Sequence, residues 1–570
     1  MKRSEMRERP CMGAPPLPDF ASLHPGYLAA VAMPGCGLLA LWLGQDASFD
    51  QLNYHLYGPW ALLHGRILFD VFPAFIGPTF HNPTADVPFY LLAVHAPPRV
   101  VGFLLGAVHG LVAAPLYLIA CALVPNNNIV ALLLVLAGMT GAMSIAETGT
   151  TFGDDLTAIL VLGGLAAAVV MLPQLACACP GEVDPVRRSR TCANRESCPG
   201  EATGKRCSAR LRRAALLAFV AAVPVGVAAG LKLTAAIDAG AFALTFLAVR
   251  RAWPERGALV AAAAAGAGIG FVVAGGPWFF ILWQHTGNPT FPYLNQIFHS
   301  PLALPISHRD DSFVPEGVLD TVLFPFLVAL GRLSDAEFPF RDLRVPVLYG
   351  LVLLVGLARL SGRASGLSPA ARLVLAFAAA CYVPWLATFA IARYLLPVEL
   401  LAPALIVALI GALVPAVRPR AAVAALALGL VVVTTRPADW GRIAWGDELY
   451  GVRVPPVDSD GLVVIAGTAP TAFLIPFFPP TIPFIRADGF YTDRLSLDYG
   501  LYRTGADRIR RHSGALYLLH RGDEEASARE VATRFGLIPT AEGCRAVENR
   551  LEPADGPHGG ILLCRVGRRD

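Results

Sequence analysis

The stretch Asp46–Arg66, DASFDQLNYHLYGPWALLHGR, begins one glutamine after the apolar run Tyr27–Gly44, YLAAVAMPGCGLLALWLG. That run has the length needed to cross a hydrocarbon core. Ionisable groups at membrane depth are expensive, so those at the end of a span mark a candidate site by default. Asp46, Asp50 and His55 therefore raise the question of what meets them where the first helix leaves the lipid. From Asn53 to His64 leucines and aromatics mix with Asn53, His55 and His64, and Gly65 offers a stop. Such a segment reads as a helix lying at headgroup level, holding Asp50 at the membrane surface.

The rest of the chain supports a membrane setting. Of 570 residues, 55% are hydrophobic and 15% charged, and the mean hydropathy is +0.54. Soluble domains carry about a quarter charged residues, so this chain lacks the polar surface for a water-soluble globule of its size. About 11 transmembrane helices are expected, at 26–43, 100–124, 129–147, 156–173, 214–230, 233–249, 258–283, 346–359, 372–390, 396–416 and 421–434. The expected fold class is an all-α polytopic membrane bundle with a small α/β C-terminal soluble domain. With the N-terminus inside, the inner segments carry 21 lysines and arginines and the outer loops before residue 435 carry eight. That asymmetry follows the positive-inside rule. The N-terminus is expected to be cytoplasmic, the first span to remain as a signal-anchor, and the C-terminal segment to be periplasmic or extracellular.

The division along the chain is a cytoplasmic segment 1–25, a membrane module 26–434 and an outer domain 435–570. The module carries outer loops at 44–99 and 284–345 and a basic, cysteine-containing cytoplasmic loop at 175–213. In the tail, GLVVIAG, GALYLLH and GGILLC read as short buried strands, and DEEASAREVATRFG as an amphipathic helix. Cys177, Cys179, Cys192, Cys198 and Cys207 lack the paired spacing of a zinc knuckle. Cys544 and Cys564 are placed to form a structural disulfide if that face is oxidising.

Several charged groups fall at outer helix ends: Glu147, Asp154 and Asp155 in ETGTTFGDD, Lys232 in GLKLT with Asp238 beyond it, and Arg393 with Glu399 in ARYLLPVELL. In a bundle they converge on a pocket at the outer interface. The first-loop aspartates, NYHLYGPWALLHGR, FHNPTADVPFY, GLKLT, GNPTFPYLNQIF and ARYLLPVELLAP together resemble the polytopic glycosyltransferases of the C-type membrane fold (GT-C). Protein mannosyltransferases and aminoarabinose transferases are relatives in general plan. The resemblance implies transfer of a sugar from a polyprenyl-phosphate donor on the non-cytoplasmic face, with an acidic residue of the first outer loop at the reaction centre. Here those aspartates are four apart, which leaves both Asp46 and Asp50 as candidates, and Asp50 is favoured because it abuts the interfacial segment.

Such a transfer needs a base for the acceptor's proton and positive charge for the leaving phosphate. Asp50 is assigned as base, with Asp46, Asp154 and Asp155 as further catalytic candidates. Lys232, Arg393 and Arg309 are phosphate candidates, and His55, Asn288 and Tyr293 are substrate-binding candidates. The cofactor is left open. Asp50, Asp154 and Asp155 can supply oxygen ligands to Mg2+ or Mn2+; His55, His64 and His81 resemble a metal set, but the first two lie nine residues apart on opposite helix faces, so one shared ion is not expected. The expected partners are a polyprenyl-phosphate sugar, the lipid bilayer and an acceptor of unknown identity, with no nucleic acid. High alanine, arginine, glycine and proline content fits a GC-rich bacterial genome, and a bacterial inner membrane is the expected location. The alternative is a transporter or flippase for a charged or lipid-linked substrate, since buried charges also mark transport pathways. Against it, no paired halves are visible.

Overall fold

The computed structural model describes residues 24–125, 127–176, 200–336, 338–488 and 499–569, with only the backbone for 200–207. The first 23 residues and most of the basic loop, with Cys177, Cys179, Cys192 and Cys198, lie outside the described residues.

Among the described residues six helices are long and apolar enough to cross a membrane. They are Pro25–Leu43, Pro98–Leu123, Ser208–Leu231, Trp253–Thr286, Pro369–Thr388 and Ala392–Leu413. The other five expected spans correspond to shorter or broken helices. The stretch 129–147 breaks at Thr140 and Gly141 into Asn128–Met139 and Ala142–Glu147. The stretches near 156, 346 and 421 form 17-residue helices, Asp154–Val170, Arg344–Leu360 and Val417–Val433. One apolar helix, Val318–Ala329, lies inside the second long loop, 284–345, where the sequence showed none.

Small residues let these helices approach closely, as they do where lipid removes the hydrophobic drive for helix association. Gly266 and Gly270, four apart on Trp253–Thr286, face the helix ending at Leu231, and a Cβ on either would strike the carbonyl of Phe219 or Val223. The first helix packs its Cys36–Gly37–Ala40 side on Pro98–Gly110. Its other side exposes Tyr27, Val31, Leu38 and Trp42, an apolar surface suited to lipid.

The C-terminal region forms a five-stranded sheet of β1 (Leu462–Ile465), β2 (Phe484–Arg486), β3 (Leu516–Arg521), β4 (Leu537–Val547) and β5 (Ile561–Arg568), in the order β2-β1-β3-β5-β4. The first three strands are parallel, and β5 runs antiparallel to β3 and β4. β1, β3 and β5 are the three strands read from the sequence. The amphipathic helix is Glu525–Phe535, closed by Gly536 at φ +64°. β2 and β4 escaped notice, β2 because it is three residues long and β4 because most of its residues are exposed or half-buried.

The sheet does not stand apart from the first loop. Leu52, Tyr54, Leu56, Tyr57 and Trp60 share one hydrophobic core with Val463, Phe473, Phe484 and Tyr517. The aromatic face expected to lie in headgroups is instead covered by protein. Val71 bridges Ile485 at the edge of β2, and the Asp70 carboxylate accepts the Phe484 N–H at 2.9 Å.

Candidate functional site

Three breaks in helical structure place the charged side chains. After the first helix ends at Leu43, the chain turns through Asp46 and enters a single wide turn, Gln51–His55, with Asp50 at its head. Gly153, at φ +78°, turns the chain into the helix that begins with Asp154 and Asp155. Lys232 sits extended between Gly200–Leu231 and the turn Leu233–Ala235, and Arg393 lies in the tight turn before Leu396–Leu413.

These breaks bring four charges into one line. Asp50 Oδ2 lies 3.3 Å from Arg393 Nη1, which lies 3.6 Å from Asp154 Oδ2. Lys232 Nζ donates to Asp154 Oδ1 at 2.5 Å and to the Phe152 carbonyl at 2.9 Å. The Tyr54 hydroxyl, one turn beyond Asp50, donates to Asp50 Oδ2 at 3.0 Å. The Arg393 guanidinium lies 4.8 Å from the centres of both the Phe152 and Tyr394 rings, and Lys232 Nζ lies 5.2 Å from the Tyr394 ring. Aromatic faces of this kind hold cations by their quadrupole.

Burial pushes the Asp50 carboxyl up. Arg393 first, then His55, Lys232 and the Tyr54 hydroxyl outweigh it, so the net displacement is below the ordinary value. Asp50 is therefore ionised at neutral pH. The same surroundings, burial first and then the Asp50 charge, hold the Tyr54 phenol well above its ordinary value and keep it a hydrogen-bond donor.

A second layer surrounds this line. His55 Nδ1 pairs with Asp86 Oδ1 at 2.9 Å. The His81 ring meets Tyr54 edge-on at 4.8 Å, and its Nε2 lies 2.7 Å from the Tyr293 hydroxyl. Burial, chiefly, pushes His81 down to about 4, so it is neutral and Tyr293 bonds an uncharged imidazole.

Asp50, Asp154, Lys232 and Arg393 are thus brought together, with His55 and Tyr293 in the surrounding layer. Asp46 is placed beside the line but committed elsewhere. It accepts the Ser48 N–H at 2.9 Å, the Thr151 N–H at 3.0 Å and the Thr151 hydroxyl at 3.1 Å. Asp155 turns to His109 Nδ1 at 2.6 Å, whose Nε2 lies 3.0 Å from the Ser144 hydroxyl. Asn288 is fully buried, and its amide bonds the Tyr293 carbonyl, Asn295 and Thr290, so it shapes the loop that presents Tyr293. Arg309 is exposed and lies 3.5 Å from Asp311. Among the described residues, Asp50, Asp154 and Asp155 do not gather ligand atoms into one metal-sized group.

Sequence reasoning missed Asp86, Phe152 and Tyr394, read Tyr54 only as part of the interfacial segment, and weighed His81 only as a metal ligand. His81 and Asp86 lie within FHNPTADVPFY, and Tyr394 adjoins Arg393. Their neighbourhood was visible, whereas their contacts depend on a fold that joins residues 50–86 to 152 and 394.

A multi-pass membrane protein with a buried ion cluster at its helix ends is the class that fold and site define. No known family profile matches the chain, and no curated protein matches it in sequence. Among solved structures the chain is similar to ArnT from Cupriavidus metallidurans bound to undecaprenyl phosphate. The TM-score is 0.49 and the identity 12%, over 95% of this chain and 97% of that one.

Proposed function

We propose, from the side-chain geometry, that the protein is a membrane glycosyltransferase that moves a sugar from a polyprenyl-phosphate donor to an acceptor on the non-cytoplasmic face. One observation carries this reading: two carboxylates, Asp50 and Asp154, are linked by two cations, Arg393 and Lys232, at the ends of membrane helices. Arg393 and Lys232 are the groups for a lipid phosphate, the first through its planar fork and the second as a point charge. A phosphate that draws on these cations weakens their hold on Asp50. The carboxylate then rises toward its ordinary basicity and can take the acceptor's proton, so donor binding and base activation are one event. Asp154 keeps Lys232 oriented, and Tyr54 fixes the Asp50 rotamer.

In this reading the N-terminus is cytoplasmic in a bacterial inner membrane. Residues 435–570 form an outer unit that closes over the first loop. The transport alternative gains nothing specific from the structure, because the charged line sits at helix ends rather than along a path between helices.

The test uses purified protein in nanodiscs with a panel of polyprenyl-phosphate sugars, following release of free polyprenyl phosphate with and without chelator. Turnover that disappears in a folded Asp50→Asn protein is the expected result. Consumption of no donor by the wild type, with acceptor extracts present, would overturn the proposal.

A further inference from the structure

Away from the charged line, the sheet brings three soft ligands together. His520 on β3, Cys544 on β4 and Cys564 on β5 place their ligand atoms within 4.8 Å of one another. Cys544 and Cys564 stand directly opposite in the antiparallel register and are joined as a disulfide. His520 and Cys564 are buried, whereas Cys544 is exposed and gives the group an opening to solvent.

The orientation of His520 fits poorly with a purely oxidised role. Its Nδ1 lies 2.8 Å from the Arg521 carbonyl, an acceptor that requires the proton on Nδ1, so in the neutral imidazole Nε2 carries the lone pair. That lone pair faces Cys564 Sγ at 3.6 Å. A disulfide sulfur has no proton to donate, so the oxidised state leaves a buried acceptor facing a group that cannot answer it, an arrangement that costs free energy.

A metal ion would answer it. A tetrahedral zinc ion bound at about 2.3 Å to sulfur and about 2.0 Å to imidazole nitrogen sets its ligand atoms about 3.5 Å apart. The Nε2–Sγ distance is already of that size, and the exposed Cys544 sulfur alone has to withdraw. An imidazole whose other nitrogen donates to a backbone carbonyl is also the usual outer arrangement of a metal-bound histidine.

We propose that reduction of this disulfide converts His520, Cys544 and Cys564 into a site for one thiophilic divalent ion of the zinc class, with a water molecule at the fourth position beside Cys544. An external dithiol supplies the two electrons and two protons that open the S–S bond, and is itself oxidised to a disulfide. The ion then takes two thiolates and the neutral imidazole, and the two thiol protons pass to solvent. The same two strands are thus stapled by a covalent bond when oxidised and by an ion when reduced. This inference is independent of the glycosyltransferase reading.

The test uses the full chain in detergent micelles, with Cys177, Cys179, Cys192, Cys198 and Cys207 replaced by serine so that the basic loop cannot bind metal. The protein is reduced with a phosphine, freed of reductant without air and titrated with Co2+, following the thiolate-to-cobalt charge-transfer band. The expected result is one equivalent bound by reduced protein, none by oxidised protein, and displacement by Zn2+. That comparison is made within one protein and needs no further substitution. Cys564→Ser should abolish the band, and His520→Ala should weaken binding at least tenfold and alter the band. Absence of the band in reduced protein that keeps its far-ultraviolet dichroism would overturn the proposal. So would equal binding by oxidised and reduced protein, or binding unchanged in His520→Ala and Cys564→Ser.

Discussion

Two arginine–aspartate pairs meet the first long loop, and they are alike in chemistry but not in setting. In the first, Arg66 grips Asp70 with two bonds of 2.9 and 2.6 Å. Asp70 also accepts from the Tyr57 hydroxyl at 3.0 Å and the Phe484 N–H at 2.9 Å, and Arg66 donates further to the carbonyls of Pro480 and Ile482. Backbone and side chains together close this pair, which ties the loop to the edge of the sheet. In the second, Asp50 meets Arg393 at 3.3 Å, and Arg393 is shared with Asp154 at 3.6 Å. The contacts that hold Asp50 come from side chains, which a ligand can displace without unfolding the backbone. A buried pair saturated by backbone groups serves the fold, whereas in the proposed reaction one held by looser, shared side-chain contacts is the pair that exchanges with an incoming phosphate.

The sharpest way to break this distinction is substitution at each aspartate. Asp50→Asn should reduce glycosyl transfer by about 10²- to 10⁴-fold, the range of general-base catalysis, with little change in melting temperature. Full turnover in the folded variant would remove Asp50 from the reaction. Asp70→Asn should do the reverse. Leaving Arg66 buried without its charge partner costs about 3–5 kcal/mol, seen as a lower thermal midpoint in detergent, while turnover per folded molecule is kept. A variant that is stable but inactive would place Asp70 in the functional class.

Arg393 offers a finer distinction. Arg393→Lys keeps the charge but loses the planar fork and its stacking between Phe152 and Tyr394. Affinity for polyprenyl phosphate should fall about tenfold, or on the order of 1.4 kcal/mol, with a smaller change in maximal rate. Binding by microscale thermophoresis with the lipid phosphate checks this. Equal affinity would mean that the phosphate does not use the guanidinium geometry.

Particular residues show how much of this was legible in the sequence. Lys232, Arg393, Asp50 and Asp154 stood out because each interrupts or ends an apolar run, and the cost of a charge in lipid makes that a strong signal. The three strands β1, β3 and β5 were visible as short apolar runs bounded by turns. The role of Asp46 was not visible, because what fixes it is Thr151, a residue 105 positions away. Nor was the burial of Tyr57 and Trp60. Aromatics on an amphipathic segment look the same whether lipid or a sheet covers them, and only the tertiary contact with residues such as Phe473 and Phe484 decides. The span count suffered from a related ambiguity: apolar runs show where helices lie in the chain but not where a Thr-Gly pair breaks one.

The smallest expected effect concerns His81, which lies beside the exchangeable pair rather than within it. Burial, acting with the nearby charges of Lys232, His55 and Arg393 and against that of Asp50, lowers its imidazole from 6.5 to about 4. The unfolded chain therefore takes up a proton at a higher pH than the folded one does. Stability from this group is complete above about pH 6.5 and drains away as the pH falls toward about 4, below which the group adds no further slope. Glutamine at this position keeps a hydrogen-bonding group opposite Tyr293 and cannot titrate. His81→Gln should therefore flatten the fall in melting temperature between pH 6.5 and 4, with the two proteins differing least near pH 7. Parallel curves for the two proteins would assign the acid sensitivity to the carboxylates, with Asp50 the first to examine, because protonating it removes the negative charge that faces Arg393 at 3.3 Å.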